Sequence, residues 1–212
     1  MSNPKTFLLF GDSIMSSVSP SVVGGNNGAA YELASHLVQE ECNVIIKNLS
    51  SPGHSIGGPK HSFANGVDLM REFGGMFSAY DGVILQAGTN DFGRSIPLAD
   101  TIASLTAILK EAQQAGKKVL VMDSLWRWNE AVSNAQGYTL GGYRWSVATT
   151  CNQYPGVGYF GTRTGSVFDN ASASPLYSAD EVATGHELHL NAAGHRAYAD
   201  WLKSKATAFG LF

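Results

Sequence analysis

At 212 residues the chain is long enough to bury a substantial core without disulfide or metal staples, and its length fits one domain over residues 1–212. With 44% hydrophobic residues, 15% charged residues and a formal charge of -3, it reads as a soluble globular protein without the basic stripe that nucleic acid requires. No apolar run approaches the roughly 20 residues of a membrane span, and the residues before the first strand leave no room for a secretory signal, so the expectation is a cytoplasmic chain or one exported with its signal removed.

The first element is the run Phe7-Leu8-Leu9-Phe10, followed at once by Gly11-Asp12-Ser13. A strand with no polar alternation suits a parallel sheet covered on both faces. Residues 29–40 carry Tyr31, Leu33, Ala34, Leu37 and Val38 at helical spacing, and residues 43–49 return to a strand pattern. A helix over 65–79, a strand over 82–87, a long helix over 98–115 closed by Gly116, and a strand over 118–122 follow. Residues 166–169 give a weaker fifth strand, and 191–208 an amphipathic last helix. Strands interleaved with helices imply an α/β fold with a central parallel sheet of about five strands and right-handed crossovers. Cys42 and Cys151 read as separate thiols.

Ligands of such sheets bind beyond the carboxyl ends of the strands, so the loops there are the informative ones. They carry Ser13, then Asn48 to Ser55 with Gly53, then Gly88-Thr89-Asn90-Asp91; near the end of the chain stands His186-Glu187-Leu188-His189-Leu190-Asn191. Alone, Gly-Asp-Ser is a helix-capping turn, Gly53 and Asn90 are turn residues, and His189 is a structural histidine beside a helix start. Together they put a hydroxyl, an imidazole and an amide on one face.

These separated blocks, in this order, resemble the GDSL-type or SGNH hydrolases, a family of esterases and deacylases. The resemblance implies a flavodoxin-like three-layer α/β/α sandwich, Ser13 as nucleophile, and His189, followed by Asn191, Gly194 and His195, as general base. A serine hydroxyl attacks only when a base within reach takes its proton, and the ester oxygen then needs aligned donors, here Ser13 N–H, Gly53 N–H and the Asn90 amide. The family's aspartate, three residues before the histidine, is replaced by His186. Glu187 or a carboxylate from elsewhere in the chain, such as Asp180 or Asp169, could orient His189 instead, a backbone carbonyl could do so in a dyad, or the protein has lost activity. His186, His189 and His195 also invite a metal reading, but His186 and His189 are three apart where a zinc-protease helix needs four, so neither metal nor cofactor is expected.

Between the fourth strand and the weaker fifth lie Trp126, Trp128, Tyr138, Tyr143, Trp145, Tyr154, Tyr159 and Phe160, suited equally to stacking on sugar rings and to packing. His54 and His61 are candidate cleft residues. The expected function is hydrolysis of a carboxylic ester through an acyl-enzyme, leaning to O-deacetylation of carbohydrate or another short-chain ester. The alternatives are a catalytically impaired relative serving as a glycan-binding module, and a lipid ester or thioester hydrolase.

Overall fold

A computed structural model of the chain describes residues 3–16, 34–58, 77–86, 88–161 and 166–212. In chain order the elements are β1 (Thr6–Phe10), α1 (Ala34–Cys42), β2 (Ile45–Asn48), β3 (Gly82–Gln86), α2 (Thr89–Gly93), α3 (Leu98–Gln114), β4 (Lys118–Met122), α4 (Leu140–Cys151), β5 (Val157–Phe160), α5 (Ala179–Thr184) and α6 (Ala192–Ala208). Short 3-10 turns occupy Phe77–Ala79 and Ala171–Leu176.

The strands form one five-stranded sheet in the order β2-β1-β3-β4-β5, with every neighbouring pair parallel. Side chains alternate across a strand, so β1 sends Phe7 and Leu9 to one face and Leu8 and Phe10 to the other. The first face packs on Leu37 and Val38 of α1 and Tyr198, Ala199 and Leu202 of α6. The second packs on Leu105, Ile108 and Leu109 of α3 and Val147 of α4. Helices therefore cover both faces of the sheet, which is why β1, β3 and β4 are apolar apart from Thr6, Gln86 and Lys118 at their ends; β2, on the edge, alternates between half-buried and exposed.

The fifth strand is Val157–Phe160, not 166–169. The latter stretch forms a turn in which Ser166 Oγ accepts from Phe168 N–H, and its apolar character comes from Phe168, buried against Tyr198. Helix α4 begins with Thr139, whose Oγ1 accepts from Gly142 N–H; its two early glycines and its aromatic residues hide the helical period. The helix expected over 65–79 lies outside the described residues except for its last turn, as do the start of the helix expected over 29–40, and His61. Both cysteines are free thiols. Among the described residues no helix is long and apolar enough to cross a membrane.

Candidate active site

The chain leaves β1 through a turn tied down at nearly every polar atom. Asp12 N–H donates to Gln86 Oε1 of β3 at 3.1 Å, Asp12 Oδ1 accepts from Ile14 N–H at 2.8 Å, and the Asp12 carbonyl accepts from Met15 and Ser16 N–H. Asn48, at the end of β2, donates to the Met15 carbonyl at 2.6 Å. A Cβ on Gly11 would sit 3.0 Å from both Met15 Cβ and Ser50 Oγ, so only glycine passes here without displacement. Ser13 is thus fixed beyond the sheet and mostly buried. Burial pushes the Asp12 carboxyl up to about 6, against hydrogen bonds that favour its ionised form.

Ser13 Oγ lies 2.9 Å from His189 Nε2. On the far side of the ring, His189 Nδ1 lies 2.5 Å from Glu181 Oε1. A carboxylate only accepts, so Nδ1 carries the ring proton and Nε2 faces the hydroxyl as an acceptor. Glu181 Oε2 also accepts from the backbone N–H of Leu188 at 2.8 Å and of His189 at 2.6 Å. Burial acts to raise the Glu181 carboxyl, but the hydrogen bonds from His189 and Leu188 outweigh it and hold the group below its usual range.

The group on His189 is therefore a carboxylate from elsewhere in the chain, and none of those named from the sequence. His186 packs edge-on against Trp128, with ring centroids 4.7 Å apart. Glu187 is buried and accepts from Ser174 Oγ at 2.9 Å, Asp180 is exposed, and Asp169 Oδ1 accepts from Asn170. The reason is the path of the chain. Helix α5 stops at Gly185, which takes a left-handed φ of 68°, and the chain folds back so that residue 189 meets a side chain eight positions earlier. The returning segment is pinned by Ser178 N–H to the His189 carbonyl at 2.8 Å, by a bridge between Tyr177 and Leu190, and by Asn191 Nδ2 to the carbonyls of Pro175 and Tyr177. Asn191 Oδ1 then caps α6 through Gly194 N–H, so His186 and His189 both precede that helix.

Gly53 adopts φ 80°, and a Cβ there would also run into the Arg94 guanidinium. Asn90, in α2, donates one Nδ2 hydrogen to the His54 carbonyl at 2.8 Å, locking the second and third loops together. The fully buried Asp91 reinforces this lock, accepting from Ile56 N–H, Gly57 N–H and Thr101 Oγ1 at 2.8 to 3.0 Å. Its role was not legible from spacing. Behind α2, the buried Arg127 donates to the Thr89 carbonyl and stands over the Phe92 ring. His54 is buried and stacked on Phe10, and does not line an open cleft.

A parallel α/β sheet with a serine, a histidine and a carboxylate in hydrogen-bond sequence beyond its strands defines the class: an ester-bond hydrolase. The chain belongs to the GDSL-like lipase/acylhydrolase family, whose model matches residues 9–197. Among solved structures it is similar to the salicylyl-acyltransferase SsfX3 from a tetracycline biosynthetic pathway (19% identity, TM-score 0.71), covering 99% of this chain and 56% of that one. This chain thus spans little more than half the length of that relative. It is also similar to the psychrotrophic esterase EstA from Pseudoalteromonas sp. (18% identity, TM-score 0.66, 97% and 98% of the two chains). A third is Axe2, an acetylxylan esterase from Geobacillus stearothermophilus (17% identity, TM-score 0.63, 96% and 95%). Among curated protein sequences none matches.

Proposed function

We propose that the protein is a serine esterase that removes short acyl groups, with acetyl esters of carbohydrate as the preferred substrate class. The observation that carries the reading is the continuous path from Ser13 Oγ through His189 to Glu181. Ser13 Oγ attacks the ester carbonyl while His189 Nε2 takes its proton. Glu181 holds the Nδ1–H tautomer and stabilises the imidazolium that forms. Negative charge on the carbonyl oxygen is met by Ser13 N–H, Gly53 N–H and the second Nδ2 hydrogen of Asn90. The imidazolium then gives its proton to the departing alkoxide, which leaves as an alcohol with the acyl group on Ser13. In the second half His189 takes a proton from water, the resulting hydroxyl attacks the acyl carbon, and the proton returns to Ser13 as the carboxylic acid departs.

The sugar preference is supported by the aromatic segment after β4 and by the acetylxylan esterases among the structurally similar proteins. The rival reading, a binding module without turnover, drew its support from the missing aspartate, and Glu181 on His189 removes that support. The test is a panel of acetylated xylose, glucose and mannose derivatives against p-nitrophenyl acetate, p-nitrophenyl octanoate and acetyl-coenzyme A, on wild type and Ser13→Ala. Serine-dependent turnover favouring acetylated sugars supports the proposal; a preference for octanoate or thioester, or no serine-dependent turnover, overturns it.

A further inference from the structure

The long segment between β4 and β5 holds more aromatic residues than the catalytic machinery uses. Helix α4 places Gly141, Arg144, Trp145 and Ala148 at spacings of three, four and seven, which is one helical stripe. That stripe faces Asp123, just past β4, and Tyr159 and Gly161 at the end of β5, and the two sides enclose a cavity of about 410 Å³. This volume falls in the range of sites for small molecules or single sugar rings. Trp145 is 71% exposed, the most exposed large hydrophobic side chain of the described residues. The opposite wall has little bulk at Gly161, and Gly141 and Ala148 keep the helical side open.

From this geometry we infer a second binding site, for a neutral sugar residue, formed by Trp145, Tyr159, Asp123 and Arg144. The floor fixes the ligand chemistry. Arg144 Nε lies 3.3 Å from Asp123 Oδ2, Arg144 Nη1 lies 2.8 Å from Glu130 Oε2, and the Asp123 and Arg144 side chains are almost fully buried. Two carboxylates, Asp123 and Glu130, flank the one guanidinium, so the floor holds no excess positive charge and an anionic head group is disfavoured. A neutral sugar ring fits such a lining. Its C–H face rests on the exposed indole, and its hydroxyls lie against the polar edge formed by Tyr159 and Asp123.

The site opens at the same end of the sheet as Ser13. Strands β1 and β4 are two apart in the sheet, about 10 Å at the usual spacing between strands. The two sites are linked through Ser124: Arg144 Nε and Nη2 donate to its carbonyl, and its Oγ would lie 3.8 Å from a Cβ added to Gly88, at the head of the helix carrying Asn90. A saccharide with its ester at Ser13 could therefore place a ring, not the esterified one, against Trp145. The inference rests on the sugar-ester reading only in taking that saccharide as substrate; binding is measured without turnover.

The experiment titrates Ser13→Ala protein with unacetylated xylotetraose, cellotetraose and mannotetraose, following tryptophan fluorescence and calorimetric heat. At least one should bind. Adding Trp145→Ala should weaken that binding roughly 10-fold, Trp145→Phe should restore part of it, and Ala148→Leu, which fills the cavity from the other end of the stripe, should weaken it comparably. Because Trp145 is exposed, its variants should keep the parent melting temperature, which separates lost binding from lost fold. Failure of all three oligosaccharides to bind, or binding that Trp145→Ala and Ala148→Leu leave unchanged, overturns the inference. Trp145-dependent binding in a protein that does not cleave acetylated sugars upholds this site and overturns the substrate proposal alone.

Discussion

The two halves of the candidate site are built on different principles. Ser13 and Asn90 stand at the exits of β1 and β3, neighbouring strands whose backbone register fixes where their loops begin. His189 and Glu181 stand on a segment with a single isolated bridge, held by scattered backbone hydrogen bonds and by side chains reaching backbone atoms. In the first half, position along the chain determines position in space. In the second, a carboxylate anywhere on a folded-back loop can serve, provided its oxygens reach Nδ1 and the loop's own N–H groups.

Substitutions separate the halves by size of effect. Ser13→Ala removes the proposed nucleophile and should lower kcat on p-nitrophenyl acetate by roughly 10⁵- to 10⁶-fold while leaving the melting temperature near wild type. Glu181→Gln should cost roughly 10³- to 10⁴-fold, because the amide can present its N–H to Nδ1 and favour the wrong tautomer. Unlike Ser13→Ala, Glu181→Ala should also lower the melting temperature, since it leaves two part-buried N–H groups without their acceptor. Asn90→Ala should cost roughly 10²- to 10³-fold in kcat with a smaller change in KM, as expected for a donor that acts on the transition state.

The asymmetry also explains what could be read from the chain. Phe7 to Phe10, residues 118–122 and the long helix over α3 are legible because burial on both faces or on one stripe leaves a periodic record in residue type. Ser13, Gly53 and Asn90 are recognisable by their blocks, since each block sits where a strand ends. Glu181 carries no such mark. Its spacing from His189 depends on the short helix α5 and the left-handed Gly185, and neither leaves a period long enough to register. Val157–Phe160 was hidden for a related reason: β5 is a short edge strand, so its residues are only partly covered. Phe168 misled in the opposite sense, because a buried turn residue is as apolar as a strand residue.

The smallest predicted effect concerns stability. His195, in α6, is buried with neither ring nitrogen partnered among the described residues, and burial followed by the influence of His189 pulls it down to about 4. The unfolded chain then binds the proton more readily between pH 6.5 and 4, so folding stability falls as pH drops through that window, by up to about 3 kcal/mol. Asp12 opposes it: its carboxyl, raised to about 6, contributes stability below its ordinary value of 3.8 that is lost as pH rises through about 6. His195→Leu should therefore flatten the acid side of a melting-temperature profile between pH 6.5 and 4, and Asp12→Asn should steepen it.

The account turns on Glu181 activating Ser13 through His189. The direct measurement is the rate at which a fluorophosphonate labels Ser13 in wild type, Glu181→Gln and Glu187→Gln, with the modified peptide identified by mass spectrometry. The expected result is labelling of Ser13 alone, slowed roughly 10³-fold by Glu181→Gln and unchanged by Glu187→Gln. Labelling of Glu181→Gln at the wild-type rate, or a wild-type Ser13 that resists the reagent, would contradict it.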